Sequence, residues 1–207
     1  MTVPSEQRPF TVLMVCTGNI CRSPLAEALL RSHMQKLGVP LTVLSAGSNA
    51  VVGHGMTPEA IRVAHRYGGS GEQHEARQLT QQLAASADLI LTATREHRGA
   101  VAGFHPRAAR YCFTLKQFAR LVGPVLESGL AQSAPTENGD TESVRLRSFV
   151  AEVAASRGYQ PPPENLADDD IEDPYRRPWA VYERVGERVE SAISTVARAF
   201  ESVLAHK

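Results

Sequence analysis

The chain has 207 residues, 43% hydrophobic and 21% charged, an ordinary globular composition with enough apolar residues for one substantial core. Its 22 basic residues balance 22 acidic ones, which speaks against a strongly basic nucleic-acid binder and against an acidic tail protein. No apolar run reaches the roughly 20 residues that a membrane span needs, and the first ten residues hold no signal-peptide core.

Residues 1–9 read as a short disordered lead. Phe10–Cys16, FTVLMVC, is a continuous apolar run rich in β-branched residues, which suits a central strand buried on both faces. A TGN loop signal follows. Ser23 and Pro24 then read as the N-cap and first residue of a helix, with Ala26, Leu30, Met34 and Leu37 on one face and Gly38 as its stop. Residues 41–44 form a second strand. Residues 58–67 are helical, with Ala60, Ile61 and Ala64 inward and Gly68-Gly69 as terminator. A shorter helix spans 79–85, a third buried strand 88–93, a helix 95–102, a fourth strand 109–113 and a helix 115–122. This alternation predicts a parallel sheet covered on both faces, with reactive groups at the carboxyl ends of its strands. Cys16 stands at such an end. Residues 127–143, rich in Ser, Thr, Glu, Gly and Gln, read as a flexible loop. Residues 143–156 are helical, GYQPPP at 158–163 breaks that helix, and the acidic stretch 168–173 follows. A long amphipathic helix over 178–204 closes the chain, its stripe marked by Val181, Val185, Val189, Ile193, Val196, Phe200 and Val203.

The segment that carries chemistry is VCTGNICRSP, residues 15–24. Between a buried strand and a helix start, the backbone can curl so that several N–H groups face one anion, and the helix adds its positive end. Gly18 and Asn19 tolerate the left-handed backbone of such a curl. Arg22 offers a planar fork matched to two phosphate oxygens. Cys16 lies in the same field, where amides, helix terminus and the Ser23 hydroxyl favour its thiolate. The site would hold phosphate and aim a nucleophile at phosphorus. It is not an ATP-binding loop, because G-x4-G-K-[ST] is absent. Displacement at phosphorus also needs an acid for the leaving oxygen. Asp173, in DPY, is the candidate, held extended by the following proline. On pattern alone it reads more readily as a turn residue in a solvated acidic loop. The three cysteines fit no disulfide framework and point to reduced thiols in a cytoplasm. The seven histidines form no H-x3-H pattern, so neither metal nor cofactor is expected.

VCTGNICRSP followed near the C-terminus by DPY resembles the low-molecular-weight protein tyrosine phosphatase family, in its bacterial form. LSAG at 44–47, HEARQL at 74–79 and DLILTATREHR at 88–98 resemble family segments in the same order. The resemblance covers about residues 10–113 and 168–205. It implies a three-layer α/β/α fold with a four-stranded parallel sheet and a phosphate-binding loop after the first strand. It also implies hydrolysis of phosphotyrosine through a phosphocysteine, without metal. By the same resemblance, Cys16 is the nucleophile, Arg22 the phosphate clamp and Asp173 the acid and later base. Thr17, Gly18, Asn19, Ile20, Cys21, Arg22 and Ser23 form the phosphate loop. Asn19, Ser23, Ser45 and His74 support it, Tyr175 lines the cleft, and Cys21 can form a protective disulfide with the nucleophile. His74 and Cys21 read equally well as plain core residues. The implied partner is a phosphotyrosine protein such as a bacterial tyrosine kinase.

The chain departs from the family in places. No aromatic stands between Gly47 and Thr57, Ala93-Thr94 replaces a Met-Asp, and Arg176 replaces a second aromatic after DPY. Cys16 and Asp173 are further apart than is usual in the family. The extra length falls in 114–165, an insertion within a single domain over 10–207 that could supply a helical flap beside the cleft. Three other readings stay open. An arsenate reductase on this fold would need two further cysteines, and only Cys112 lies outside the loop. A protein-arginine phosphatase would carry Thr at the Ile20 position. A phosphopeptide-binding module without turnover would not need an intact Cys16, Arg22 and Asp173.

Overall fold

β1 (Phe10–Cys16) has no polar face to turn to solvent, and it lies at the centre of the sheet. Alternation sends Phe10, Val12 and Met14 into one apolar core and Leu13 and Val15 into another. The computed structural model describes residues 8–127 and 141–205. β2 (Leu41–Gly47) and β3 (Leu89–Thr92) flank β1, and β4 (Cys112–Thr114) forms the edge beyond β3. The order is β2-β1-β3-β4, and every pairing is parallel. Parallel neighbours require crossovers, and helices supply them. These are α1 (Arg22–Lys36), α2 (Pro58–Arg66), α3 (Gln81–Ser86) and α4 (Arg95–Phe104), while α5 (Leu115–Glu127), α6 (Glu142–Ser156) and α7 (Trp179–Ala205) follow the last strand. Threonines open four of them: the side chains of Thr57, Thr80, Thr94 and Thr141 accept the backbone N–H three residues on.

The larger core joins β1, Leu91 and Phe113 to α1, α5, α6 and α7, while the smaller one packs Leu13, Val15, Ala46, Ile90 and Cys112 against Ala84 of α3 and Val101 of α4. The three-layer α/β/α architecture expected from the alternation is therefore present. Several boundaries differ. β2 runs three residues past the expected Leu44, because its ladder with β1 continues to Cys16↔Gly47. α5 continues through Pro124 to Glu127. Leu37 is 38% exposed rather than inward, since α1 ends at Lys36 and Leu37 is its C-cap. Ile61 is half-buried. Most of the expected lead, and residues 128–140 of the expected flexible loop, lie outside the described residues. Among the described residues, no helix is long and apolar enough to cross a membrane.

α6 does not lie beside the cleft as a flap. Phe149 meets Phe200 edge-on at 6.5 Å, and Phe200 meets Phe10 at 5.8 Å. The Arg147 Nε donates to Asp88 Oδ1 at 2.9 Å, and its Nη2 donates to the Arg8 carbonyl at 3.1 Å. Phe10 and Asp88 mark the amino ends of β1 and β3. A seven-residue strand spans about 20 Å, so α6 braces the end of the sheet remote from Cys16. The chain then returns along the sheet edge. Arg157 donates to the Cys112 carbonyl at 2.6 Å, Arg120 to the Pro161 carbonyl at 3.1 Å, and the Ile171 amide to the Ala93 carbonyl at 2.8 Å. This strap delivers Asp173 to the carboxyl end.

Candidate active site

The loop after β1 is shaped from outside. The carbonyls of Cys16, Thr17, Gly18 and Ile20 accept from the amides of Ser48, Asn49, Val51 and Thr57, at 2.8 to 3.0 Å. The Asn19 carbonyl accepts from His74 Nε2 at 2.6 Å. A planar trans peptide points its N–H opposite its C=O. Five outward carbonyls therefore turn the N–H groups of Thr17, Gly18, Asn19, Ile20 and Cys21 to the loop's inner side, where they form an anion cradle. Asn19 takes the left-handed conformation, with φ 56°. Gly18, which could also tolerate it, does not, so the curl needs a single left-handed residue.

Asn19 is fully buried and fully used. Its Nδ2 donates to Ser23 Oγ at 2.9 Å and Ser45 Oγ at 2.8 Å, and its Oδ1 accepts from the Arg77 amide at 2.9 Å. Ser23 Oγ lies 2.9 Å from Cys16 Sγ. Because that oxygen accepts from Asn19, its own proton can point at sulfur, in competition only with the longer contact to the Ala46 carbonyl at 3.5 Å. Ser23 is consequently not the N-cap expected from Ser-Pro. Cys21 precedes the first turn of α1 without a side-chain cap bond, and the Ser23 hydroxyl serves the sulfur instead.

Arg22 is 5% exposed although it is charged. Its Nη1 donates to the Ile171 carbonyl at 3.1 Å, its Nη2 to Asp173 Oδ2 at 2.7 Å and to Thr17 Oγ1 at 3.3 Å, and its Nε is buried without a partner. Asp173 is half-exposed, and its Oδ1 accepts from the Tyr175 amide at 3.1 Å. The structure thus brings together Cys16, Arg22 and Asp173 from opposite ends of the chain. Tyr175 is 43% exposed, with the Arg176 guanidinium 5.1 Å from its ring centroid. Where the cleft-wall aromatic is missing, Val51 and Val52 are exposed.

Cys21 turns away from the cradle, toward Thr57 Oγ1 at 3.6 Å and the Tyr182 hydroxyl at 3.9 Å. Burial pushes its thiol up to about 11, against the lowering effect of those hydrogen bonds. All three cysteines are free. One participant was not read from the sequence. His97, 5% exposed on α4, holds Thr17 Oγ1 at 2.9 Å through Nε2 and Thr94 Oγ1 at 2.6 Å through Nδ1. Burial, and then the Arg22 charge, hold its pKa below the ordinary histidine value. It therefore supports Thr17, the residue after Cys16, as a neutral ring. The only sequence signal was its place two residues after Arg95 in the segment 88–98, where nothing links it to Thr17.

A cysteine at the carboxyl end of a central parallel strand, beneath an amide cradle and beside a buried arginine, defines a phosphate-handling class of protein. Over residues 11–124 the sequence matches the low molecular weight phosphotyrosine protein phosphatase family, and the chain belongs to that family. The probable low molecular weight protein-tyrosine-phosphatase EpsP of Ralstonia nicotianae is 41% identical over 105 residues, 51% of this chain and 70% of that protein. Wzb of Escherichia coli K12, also a low molecular weight protein-tyrosine-phosphatase, is 48% identical over 86 residues. That match covers 42% of this chain and 56% of Wzb, so it spans little more than half of that relative. Among solved structures, the YwlE arginine phosphatase of Geobacillus stearothermophilus superposes with TM-score 0.65 at 26% identity, covering 96% of this chain and 98% of that one. The family match includes the Cys16 loop and ends before the strap that carries Asp173.

Proposed function

We propose that the protein hydrolyses phosphotyrosine on protein substrates through a phosphocysteine intermediate, with Cys16 as nucleophile, Arg22 as clamp and Asp173 as acid and base. The observation that carries this reading is the meeting of Arg22 and Asp173 at 2.7 Å beside the cradle that begins at Cys16. In the first step the Cys16 thiolate attacks phosphorus, the S–P bond forms, and the bond to the tyrosyl oxygen breaks. Asp173 donates its proton to that oxygen. In the second step the Asp173 carboxylate takes a proton from water, whose oxygen attacks phosphorus and returns the thiolate. The inward amides and Arg22 meet the charge spread over the equatorial oxygens. The Ser23 proton steadies the sulfur both as nucleophile and as leaving group. Substrate must exchange the Arg22–Asp173 pairing for pairing of Arg22 with phosphate, which frees the acid as it loads the clamp.

Asn19, Ser45 and His74 hold the loop, Tyr175 borders the cleft, and Cys21 is the resolving thiol when Cys16 is oxidised. The substrate is a phosphotyrosine protein such as a bacterial tyrosine kinase, met in the cytoplasm. An arsenate-reductase relay is disfavoured by the placement of Cys112. It starts β4, the edge strand, level with Leu13 rather than with Cys16 and two strands away, and burial pushes its thiol up to about 12. A second reading, protein-arginine phosphatase, draws support from the resemblance to YwlE. Ile20, apolar and buried, offers no hydroxyl to a guanidinium. Turnover of matched phosphotyrosine and phosphoarginine peptides separates the two. We expect the larger kcat/KM for phosphotyrosine, and a ratio favouring phosphoarginine would reassign the substrate.

A further inference from the structure

Along the sheet edge, between α4, α5 and the strap, lies a cavity of about 270 Å3 that phosphotyrosine hydrolysis leaves unused. Four arginines line it: Arg95 and Arg98 from α4, Arg120 from α5, and Arg157 from the turn after α6. Two of them have carboxylate partners. Arg120 pairs with Asp169 at 3.0 Å and Arg95 with Asp170 at 3.4 Å. Among the described residues, Arg98 donates only to Gln117 Oε1, at 3.2 Å. Arg157 donates only to the carbonyls of Ala109 and Cys112, with its guanidinium 3.5 Å from the Phe113 ring centroid. Neither Arg98 nor Arg157 meets a carboxylate among the described residues.

Two uncompensated guanidinium groups thus share one concavity. Burial, and then the Arg98 charge, push Arg157 down to about 10. Concave walls with uncompensated charge of one sign concentrate counter-ions. Of the remaining polar lining, the Asp169 carboxylate is held by Arg120, whereas Thr114 can donate. Thr114 Oγ1 accepts from the Gln117 amide at 3.1 Å, which leaves the Thr114 proton available. Guanidinium forks match tetrahedral oxyanions, and a space below the roughly 300 Å3 of drug-sized pockets suits a phosphate group better than a whole nucleotide.

We propose that this cavity is a second oxyanion site, for inorganic phosphate or for a phosphomonoester carried on a peptide. Part of its wall, Arg157 and Asp169 included, comes from chain beyond residue 124, where the family match ends. The proposal does not depend on the chemistry of Cys16.

The test is calorimetric titration of the full chain with inorganic phosphate at low ionic strength, beside phosphate inhibition of aryl phosphate hydrolysis. Two phosphates should bind per wild-type chain. Arg98→Gln should weaken the second at least about tenfold, the effect of losing one charge-assisted contact. Its inhibition constant at the catalytic loop should stay unchanged, which also shows the variant to be folded. A single phosphate per wild-type chain that Arg98→Gln leaves undiminished overturns the proposal, as do two undiminished in both Arg98→Gln and Arg98→Glu. Phosphoserine titrated in parallel identifies the source. Tighter binding than inorganic phosphate supports a peptide-borne group, and weaker binding supports free phosphate. The binding count is read without turnover, so it stands whether or not the phosphatase reading does.

Discussion

Asn19 holds Ser23 and Ser45 with one amide group, accepts from Arg77, and takes a left-handed φ that few non-glycine residues adopt. Its residue type and place in VCTGNICRSP made it legible beforehand, as were Cys16 and Arg22. Asp173 was not legible from its own surroundings. Its partner Arg22 is 151 positions away, and only the resemblance drew attention to it. His97 escaped altogether, because its link to Thr17 crosses 80 positions and follows no motif. Its lowered pKa has a consequence for stability. As pH falls through the ordinary histidine value of about 6.5, the unfolded chain takes up a proton that the folded chain refuses, so stability declines until the folded-state value is passed. Denaturant melts of His97→Asn between about pH 7 and about pH 5 should therefore show a shallower loss than wild type; equal slopes would contradict a neutral buried ring. Cys21, raised to about 11, is a protonated thiol near neutrality. Attack on oxidised Cys16 needs its thiolate, so the Cys16–Cys21 disulfide should form faster at higher pH after peroxide treatment. A peptide mass map showing only sulfinic acid at Cys16, at every pH, would refute the guarding role.

At the scale of elements, the strands were read from apolar runs, which worked for β1 and β3 but placed β4 three residues early, since Ala109 and Arg110 belong to a 3-10 turn before it. The same reading fell short for β2, whose last residues Ser45, Ala46 and Gly47 carry no apolar pattern, yet pair with Met14, Val15 and Cys16. Gly47 shows why a small residue stands there. A Cβ at that position would lie 2.4 Å from the Thr17 carbonyl oxygen and 2.9 Å from Ala50 Cα, backbone on both sides. Gly47→Ala should cost about 1–3 kcal/mol of stability by overpacking and weaken phosphate inhibition, since Thr17 begins the cradle. Thermal melts and an inhibition constant both matching wild type would show that the loop is not held by this contact. The start of α1 was misread for a related reason. Ser-Pro is an N-cap signal in isolation, but here the hydroxyl meets Cys16, Asn19 and the Ala46 carbonyl instead of a helix amide. α6 was legible as a helix but not in its location, which is fixed by Asp88, Arg8 and Phe200 far away in sequence.

For the molecule as a whole, alternation of strand and helix was enough to give three layers and a parallel sheet, because parallel strands buried on both faces leave few other arrangements. What the insertion does could not be read that way. Its helix braces the amino ends of the strands, and the strap that follows brings Asp173 back over the carboxyl ends, so one stretch of chain ties the base of the sheet to the loop at its top. The convergence of Cys16, Arg22 and Asp173 is the central claim. The direct measurement is hydrolysis of a phosphotyrosine peptide, with EDTA present, by wild type, Cys16→Ser and Asp173→Asn. The account predicts turnover by wild type, none by Cys16→Ser, and a loss of roughly 10²-fold or more in Asp173→Asn. Undiminished turnover in either variant would contradict it.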